Sequence, residues 1–266
     1  MGTYNRAHLL DKTIKSVCAQ TLADWELIIA DDGSTDATPR IVAQWREKEP
    51  RIVYVRNDHN QGISKNYNTG LCLARGEFIA MIDDDDPWCD AHKLEKQIAF
   101  LNAHPDHVGC GGGAIVIDPG GHELYRYLKP EHDKDIRARM LFSNPMANST
   151  TIFRRSAGQG VGWYDESIRY SGDRDFWLKM GLIGKLYNFP AYFSYYTMSG
   201  NNTSVLKIRP HLKTSLMVMR RYKGKYPGYF LALLFNELQY AYSFLPLFIR
   251  ANIHELLARL KRRVLG

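Results

Sequence analysis

The chain has 266 residues, 45% of them hydrophobic and 24% charged, which is room for one sizeable α/β domain with an appendage but not for two full enzyme domains. Its net charge of +7 is uneven: from Val205 onward twelve Lys or Arg stand against Glu237 and Glu255, a balance of +10, so the first 204 residues carry −3. Cations confined to one terminal segment argue against nucleic acid as the partner, no run of about 18 residues is apolar enough to span a membrane, and the start lacks a signal-peptide pattern, so a cytoplasmic protein is expected.

In chain order, Ala7 to Gln20 has the spacing of an amphipathic helix, and Trp25 to Ala30 is a short apolar strand that ends in Asp31-Asp32-Gly33-Ser34. Thr35 to Lys48 returns to helical spacing, with Ser34 or Thr35 as the expected N-cap, and Arg51 to Val55 is a second strand. Gly62 to Arg75 is again helical. Glu77 to Ile82 is a third apolar strand, ending in Asp83-Asp84-Asp85-Asp86. Strands alternating with helices predict parallel β/α units, whose ligands bind beyond the carboxyl ends of the strands, where both acidic clusters fall.

After His107 the rhythm changes. Val108 to Ile117 and Glu123 to Leu128 flank a hairpin-like Asp118-Pro-Gly-Gly121, while Thr150 to Arg154 and Leu186 to Met198 look extended, with a helix over Asp173 to Met180 between them. Lys207 to Arg263 has helical spacing broken at Pro227 and Pro246. A catalytic domain over 1–205 and a basic helical tail over 206–266 is the expected division. Cys18, Cys72, Cys89 and Cys110 have no metal-site spacing and read as reduced, mostly buried thiols.

Four consecutive aspartates repel one another by about 1 kcal/mol per close pair at surface dielectric, a cost that a divalent cation would offset. Hard carboxylate oxygens suit Mg²⁺ or Mn²⁺, which are held by one or two carboxylates together with substrate phosphates. A solvated acidic turn, with Asp86 or Asp90 capping the next helix, is the other reading of this run. Asp31 to Asp36 is likewise open between a structural strand-to-helix junction and a contact to a uracil imide N–H. In Ser171-Gly-Asp-Arg-Asp-Phe-Trp177, Asp173 and Asp175 are either helix-start residues or chemical groups.

Taken together, Thr3-Tyr-Asn-Arg6, Gln20-Thr21 before Trp25 to Ile29, Asp31 to Asp36, Asn60-Gln-Gly62 with Asn66 and Gly70, Gly76 to Ala80, Asp83 to Trp88 and Gly172 to Trp177 stand in the order of the family 2 glycosyltransferases. The chain resembles that family over about residues 2–204. The resemblance implies a GT-A fold, a Rossmann-like and mostly parallel nucleotide-binding sheet, here with a C-terminal helical extension. It implies donor contacts at Thr3, Tyr4, Asp32 and Lys65, a D-x-D motif at Asp83 and Asp85 meeting ribose and a Mn²⁺ or Mg²⁺ ion, with Asp84 also at the donor, and a catalytic base at Asp173 supported by Asp175. The activity implied is inverting transfer of a hexose or N-acetylhexosamine from a nucleotide-sugar, with UDP the expected nucleotide, to a glycan or lipid-linked acceptor of cell-surface polysaccharide.

Three departures from the family pattern stand out. The family opens with an apolar strand before the Thr-Tyr-Asn segment, and Met1-Gly2 leaves no place for it. Thr197 and Ser199 stand where the family often has Arg and His, so the resemblance does not carry an extra phosphate or metal contact over to that loop. Gly172 replaces the glutamate that usually precedes the base.

Tyr229 to Ile249 is rich in Leu, Phe and Tyr but carries Asn236, Glu237 and Gln239, so the tail reads as a helix on an anionic membrane face or as a packing element, not as a span. A homo-oligomer is left open. The alternatives are a non-catalytic GT-A-like subunit that binds a partner or glycan, and a nucleotidyltransferase, which lacks support for want of a Gly-rich basic phosphate loop.

Overall fold

The computed structural model describes residues 1–198 and 207–245. Its first sheet is wholly parallel, in the order β1 (Gly2–Thr3), β2 (Leu27–Asp31), β3 (Ile52–Arg56). Helices α1 (Ala7–Cys18), α2 (Thr38–Lys48) and α3 (Ile63–Leu73) alternate with these strands. Leu10, Thr13, Ile14 and Val17 form the buried stripe of α1, the three-to-four spacing that fixes which face meets the sheet.

The second sheet runs β4 (Phe78–Ala80), β7 (Ile152–Arg154), β5 (His107–Ile117), β6 (Glu123–Tyr127), with β8 (Lys185–Thr197) laid parallel along β5 and the other pairs antiparallel. The turn expected at Asp118 to Gly121 joins β5 to β6, closed by Gly121 N–H donating to the Asp118 carbonyl at 3.0 Å. Helices α4 (Lys93–Ala103), α5 (Asp133–Arg139), α6 (Arg155–Gly160), α7 (Gly172–Ile183), α8 (Ile208–Arg221) and α9 (Tyr229–Tyr242) complete the described fold.

The two sheets meet where Gly2 bridges in parallel to Asp83. This short contact sets the carboxyl ends of β1, β2 and the segment after β4 side by side, which is what gathers the acidic residues. Between β2 and β4 lies a cavity of about 820 Å³ lined by apolar side chains such as Ile28, Ala30, Leu71, Ile79 and Ile82, and none of Asp83 to Asp86 lines it. One core packs Leu10, Ile14, Ile29, Val42 and Ile52 under the first sheet. The other packs Phe153, Tyr164, Phe176 and Trp177 with Leu216 and Met219 of α8, so the C-terminal helices share a core with the strands.

Two expectations are corrected. Helix α2 begins at Thr38, not Thr35, and has no side-chain cap at Ala37; the Ser34 hydroxyl is taken by the Asn5 N–H at 2.9 Å, and Asp36 receives the Thr38 N–H at 2.9 Å instead. The cysteines are free, but only Cys110 is buried and Cys72 is exposed, since it falls on the outer face of α3. The basic segment Arg259 to Arg263, Pro246 and the Ser199 position lie outside the described residues.

Candidate active site

Asn5 sits in the left-handed region at φ 53°. From there its side-chain oxygen accepts the Thr35 N–H at 2.8 Å and the Asp36 N–H at 3.3 Å, tying the loop after β1 to the loop after β2. Asp31 is fully buried, accepting the Tyr54 hydroxyl at 2.6 Å and the Ser34 N–H at 2.8 Å. Asp32, also buried, accepts the Asn57 amide at 3.0 Å and the backbone N–H groups of Gln61 and Gly62 at 2.8 and 2.9 Å. It therefore pins the loop that leads into α3. Thr3 is buried beside Asp84, Tyr4 is exposed, and Lys65 is exposed on the first turn of α3.

After β4 the four aspartates divide. Asp83 is half-buried and accepts hydrogen bonds from the Tyr67 hydroxyl, the Asn148 amide at 3.2 and 3.3 Å and the Ser149 hydroxyl at 3.2 Å. Arg6 Nη1 bridges Asp84 Oδ1 and Asp85 Oδ2, each at 2.9 Å. Asp86 is buried on the Ser149 hydroxyl at 2.9 Å. Burial pushes the Asp85 carboxyl up to about 6 against the pull of Arg6, with Asp84 and Asp83 adding to the rise. Burial, then Asp83 and Asp85, raise Asp86 well above the usual carboxylate range. One guanidinium among four carboxylates leaves the cluster short of positive charge.

Asp173 lies in the first turn of α7, after Ser171, which caps the helix at φ 57°. Its Oδ2 accepts the Asn144 amide at 2.7 Å. Asp173 and Asp83 both act on one buried aromatic residue, Tyr164. Tyr164 is stacked on Phe176 with ring centroids 4.8 Å apart, and its hydroxyl is raised far up by burial and then by Asp173 and Asp83. That hydroxyl reaches Asn148 Oδ1 at 3.4 Å, and the Asn148 amide in turn reaches Asp83.

Gly172 allows the close approach of α7 to α3, since a Cβ there would stand 2.6 Å from Ser64 Oγ. Asp175 faces the C-terminal helices: it is buried, accepts the hydroxyl of Tyr222 just after α8 at 2.9 Å, and is raised by its burial.

The structure thus gathers Thr3, Asp83, Asp84 and Asp85 after β1 and β4, sets Asp32 beneath the loop into α3, and leaves Asp173 on α7 with Tyr164 as the group it shares with Asp83. Among the described residues no three His, Cys, Asp or Glu side chains form a complete metal cage. Asp83 and Asp85 are hard, partly exposed donors on an electron-rich cluster, so they fit a divalent ion whose remaining ligands come from a diphosphate. Tyr67, Asn144, Asn148, Tyr164 and His211 were not singled out by sequence. Arg6 was visible in the Thr-Tyr-Asn-Arg motif, yet nothing in its spacing announced a contact to residues so far along the chain.

The alternating strands and helices and the acidic strand ends define an α/β fold with a carboxylate-rich edge. The family model for glycosyl transferase family 2 matches residues 1–159, and the chain belongs to that family. It is 34% identical to EpsE of Bacillus subtilis, a glycosyltransferase by name, over 67% of this chain and 64% of that one. It is 30% identical to the amylovoran biosynthesis glycosyltransferase AmsE of Erwinia amylovora over 66% of this chain and 65% of that one, so it spans just under two thirds of the length of both relatives. Among solved structures it is similar to S. aureus TarS 1-349 in complex with UDP, with a TM-score of 0.66 at 20% identity, covering 96% of this chain and 73% of that chain. The mannosyltransferase PcManGT from Pyrobaculum calidifontis with GDP-Man and Mn²⁺ gives a TM-score of 0.65 at 17% identity, covering 98% of this chain and 78% of that chain. These likenesses establish the GT-A fold.

Proposed function

We propose that this chain transfers a sugar from a nucleoside diphosphate sugar to an acceptor hydroxyl with inversion at the anomeric carbon. The observation that carries it is that Asp83 and Asp173 both act on the buried Tyr164 hydroxyl, with Asn148 linking that hydroxyl to Asp83. Asp173 takes the proton of the acceptor hydroxyl as its oxygen attacks the anomeric carbon, and the bond from that carbon to the diphosphate oxygen breaks. Asn144 fixes which carboxylate oxygen faces the acceptor. Tyr4, Thr3, Asp32 and Lys65 hold the nucleotide end, with Asp84 and Asp83 at the ribose. A Mn²⁺ or Mg²⁺ ion on Asp83 and Asp85, when bound, neutralises charge on the departing diphosphate.

UDP is the nucleotide favoured here, in keeping with the UDP-bound TarS structure, while PcManGT was solved with GDP-Man and Mn²⁺. AmsE's name ties it to amylovoran biosynthesis, and in the same reading this chain builds a cell-surface polysaccharide from the cytoplasmic side on a glycan or lipid-linked acceptor. Residues 1–205 form the catalytic unit and the helices that follow brace the helix of the base. The test is nucleotide release across UDP-, GDP- and dTDP-sugars with Mn²⁺ present. Release that requires both a donor and Asp173 supports the reading, and binding of every donor without turnover would favour a non-catalytic subunit.

A further inference from the structure

Helices α8 and α9 pack against α7 on one side through hydrogen bonds. Ser171 Oγ meets His211 Nδ1 at 3.0 Å, Arg174 Nη1 meets Ser215 Oγ and Asn236 Oδ1, and Asp175 accepts Tyr222. The buried side of α9 is Ala232, Asn236 and, just after the helix, Ser243. The other side is apolar and exposed: Phe230 at 76%, Leu231 at 65%, Leu234 at 56% and Leu238 at 60%, followed by Phe244. The usual order of a surface helix is inverted here, with an amide inside and leucines outside.

Rotation cannot hide that face. Asn236 donates to the Leu141 carbonyl at 3.0 Å and accepts from Arg174, which is itself buried, so turning α9 would strip the guanidinium of a partner. The charge around the face is one-sided. Residues 207–245 hold seven Lys or Arg against Glu237 alone; Glu237 is paired with Arg220, and Arg221 with Asp165, which leaves five cations in excess. Arg209 lies over the Phe244 ring at 4.9 Å and Lys223 over the Tyr229 ring at 6.0 Å, so cations rim the apolar stripe.

We infer that the outer face of α9, with its cationic rim, is a docking surface for an anionic lipid bilayer. The 14 residues of α9 reach about 21 Å, short of the ~30 Å hydrocarbon layer, and among the described residues no helix is long and apolar enough to cross a membrane. Helix α9 therefore lies in the interface plane, its leucines among acyl chains and its cations at anionic headgroups. Because α8 and α9 hold α7, docking brings Asp173 to the surface where a lipid-linked acceptor resides. Binding to lipid needs neither donor nor metal, so this inference and the transfer reading fail separately.

The experiment is flotation of the full chain with phosphatidylcholine vesicles, with and without phosphatidylglycerol. The wild type is expected to float with the anionic vesicles and about tenfold less with neutral ones. Leu234→Ser with Leu238→Ser, at positions that carry no core packing, is expected to cut anionic-vesicle binding at least ~10-fold with an unchanged melting temperature. Phe230→Ser serves as a second, independent variant. Equal flotation of the wild type and both variants, or no flotation of the wild type, would overturn the assignment. So would a concentration-dependent dimer in sedimentation that the leucine variant dissociates without any vesicle binding, since a second copy would then cover the face.

Discussion

Asn144 donates its side-chain amide to Asp173 Oδ2 at 2.7 Å, across a sequence separation of 29 residues. Among the described residues this is the one hydrogen bond recorded for that carboxylate, so it sets the direction in which Asp173 presents its other oxygen. Asn144→Ala is expected to lower kcat about tenfold while leaving UDP affinity unchanged, because the proposed nucleotide contacts lie on other elements. Parallel kinetics and calorimetry check it, and a raised KM with unchanged kcat would place Asn144 in substrate binding instead.

Metal and nucleotide are expected to bind together. Asp83 and Asp85 supply too few ligands on their own, and Arg6 already occupies Asp85 Oδ2. UDP affinity should rise when Mn²⁺ is added and drop in EDTA, and Asp85→Asn should erase most of that difference. Calorimetry giving equal UDP affinity in Mn²⁺ and in EDTA would refute the metal site.

Lys93 offers a test of stability against pH. It is fully buried over the Trp88 ring at 4.2 Å, with no hydrogen-bond partner for Nζ among the described residues. Burial lowers its ammonium to about 7, while Cys110, Asp90 and Cys89 pull weakly the other way. Between that value and the ordinary lysine range the unfolded chain holds a proton that the folded chain does not, so this residue makes stability rise with pH over that window. Lys93→Met should therefore stabilise by at least about 1 kcal/mol at pH 7 and by less near pH 10. Thermal melts at both pH values decide it, and a variant destabilised at pH 7 would contradict the account.

Arg174 should prove structural. Its Nη2 donates to the Leu141 carbonyl at 2.5 Å and its Nη1 to Ser215 and Asn236, joining α7 to α8 and α9 in the interior. Arg174→Ala leaves Ser215 Oγ and Asn236 Oδ1 without this buried donor, while the Leu141 carbonyl keeps the Asn236 amide, at a cost of about 3 kcal/mol. Chemical denaturation measures it, and a loss under about 1 kcal/mol would mean that the C-terminal helices are a detachable tail.

Much of this was legible in sequence. The apolar runs ending in Asp31-Asp32 and Asp83 to Asp86 announced strands that deliver carboxylates at their carboxyl ends, because period and abrupt polarity are local signals; that they belong to two sheets was not announced. The aromatic pair beside Asp83 was not legible. Tyr67 and Tyr164, with ring centroids 5.2 Å apart, are separated by a whole sheet in sequence, and each looks like an ordinary core aromatic. Strand β5 was readable as extended, but its Gly111-Gly-Gly113 run gave no sign of the register against β8. The tail's mixed character was visible in composition, whereas the facts that Asn236 points inward and the leucines outward depend on Arg174, which no periodicity reveals.

The central claim is that Asp173 is the base of a sugar transfer. Single-turnover transfer by Asp173→Asn, with the melting temperature and UDP affinity measured on the same sample, tests it most directly. The account predicts a rate at least ~10²-fold below wild type with melting temperature and UDP affinity unchanged. Transfer at nearly the wild-type rate would remove Asp173 from the chemistry and leave it a residue of the first turn of α7.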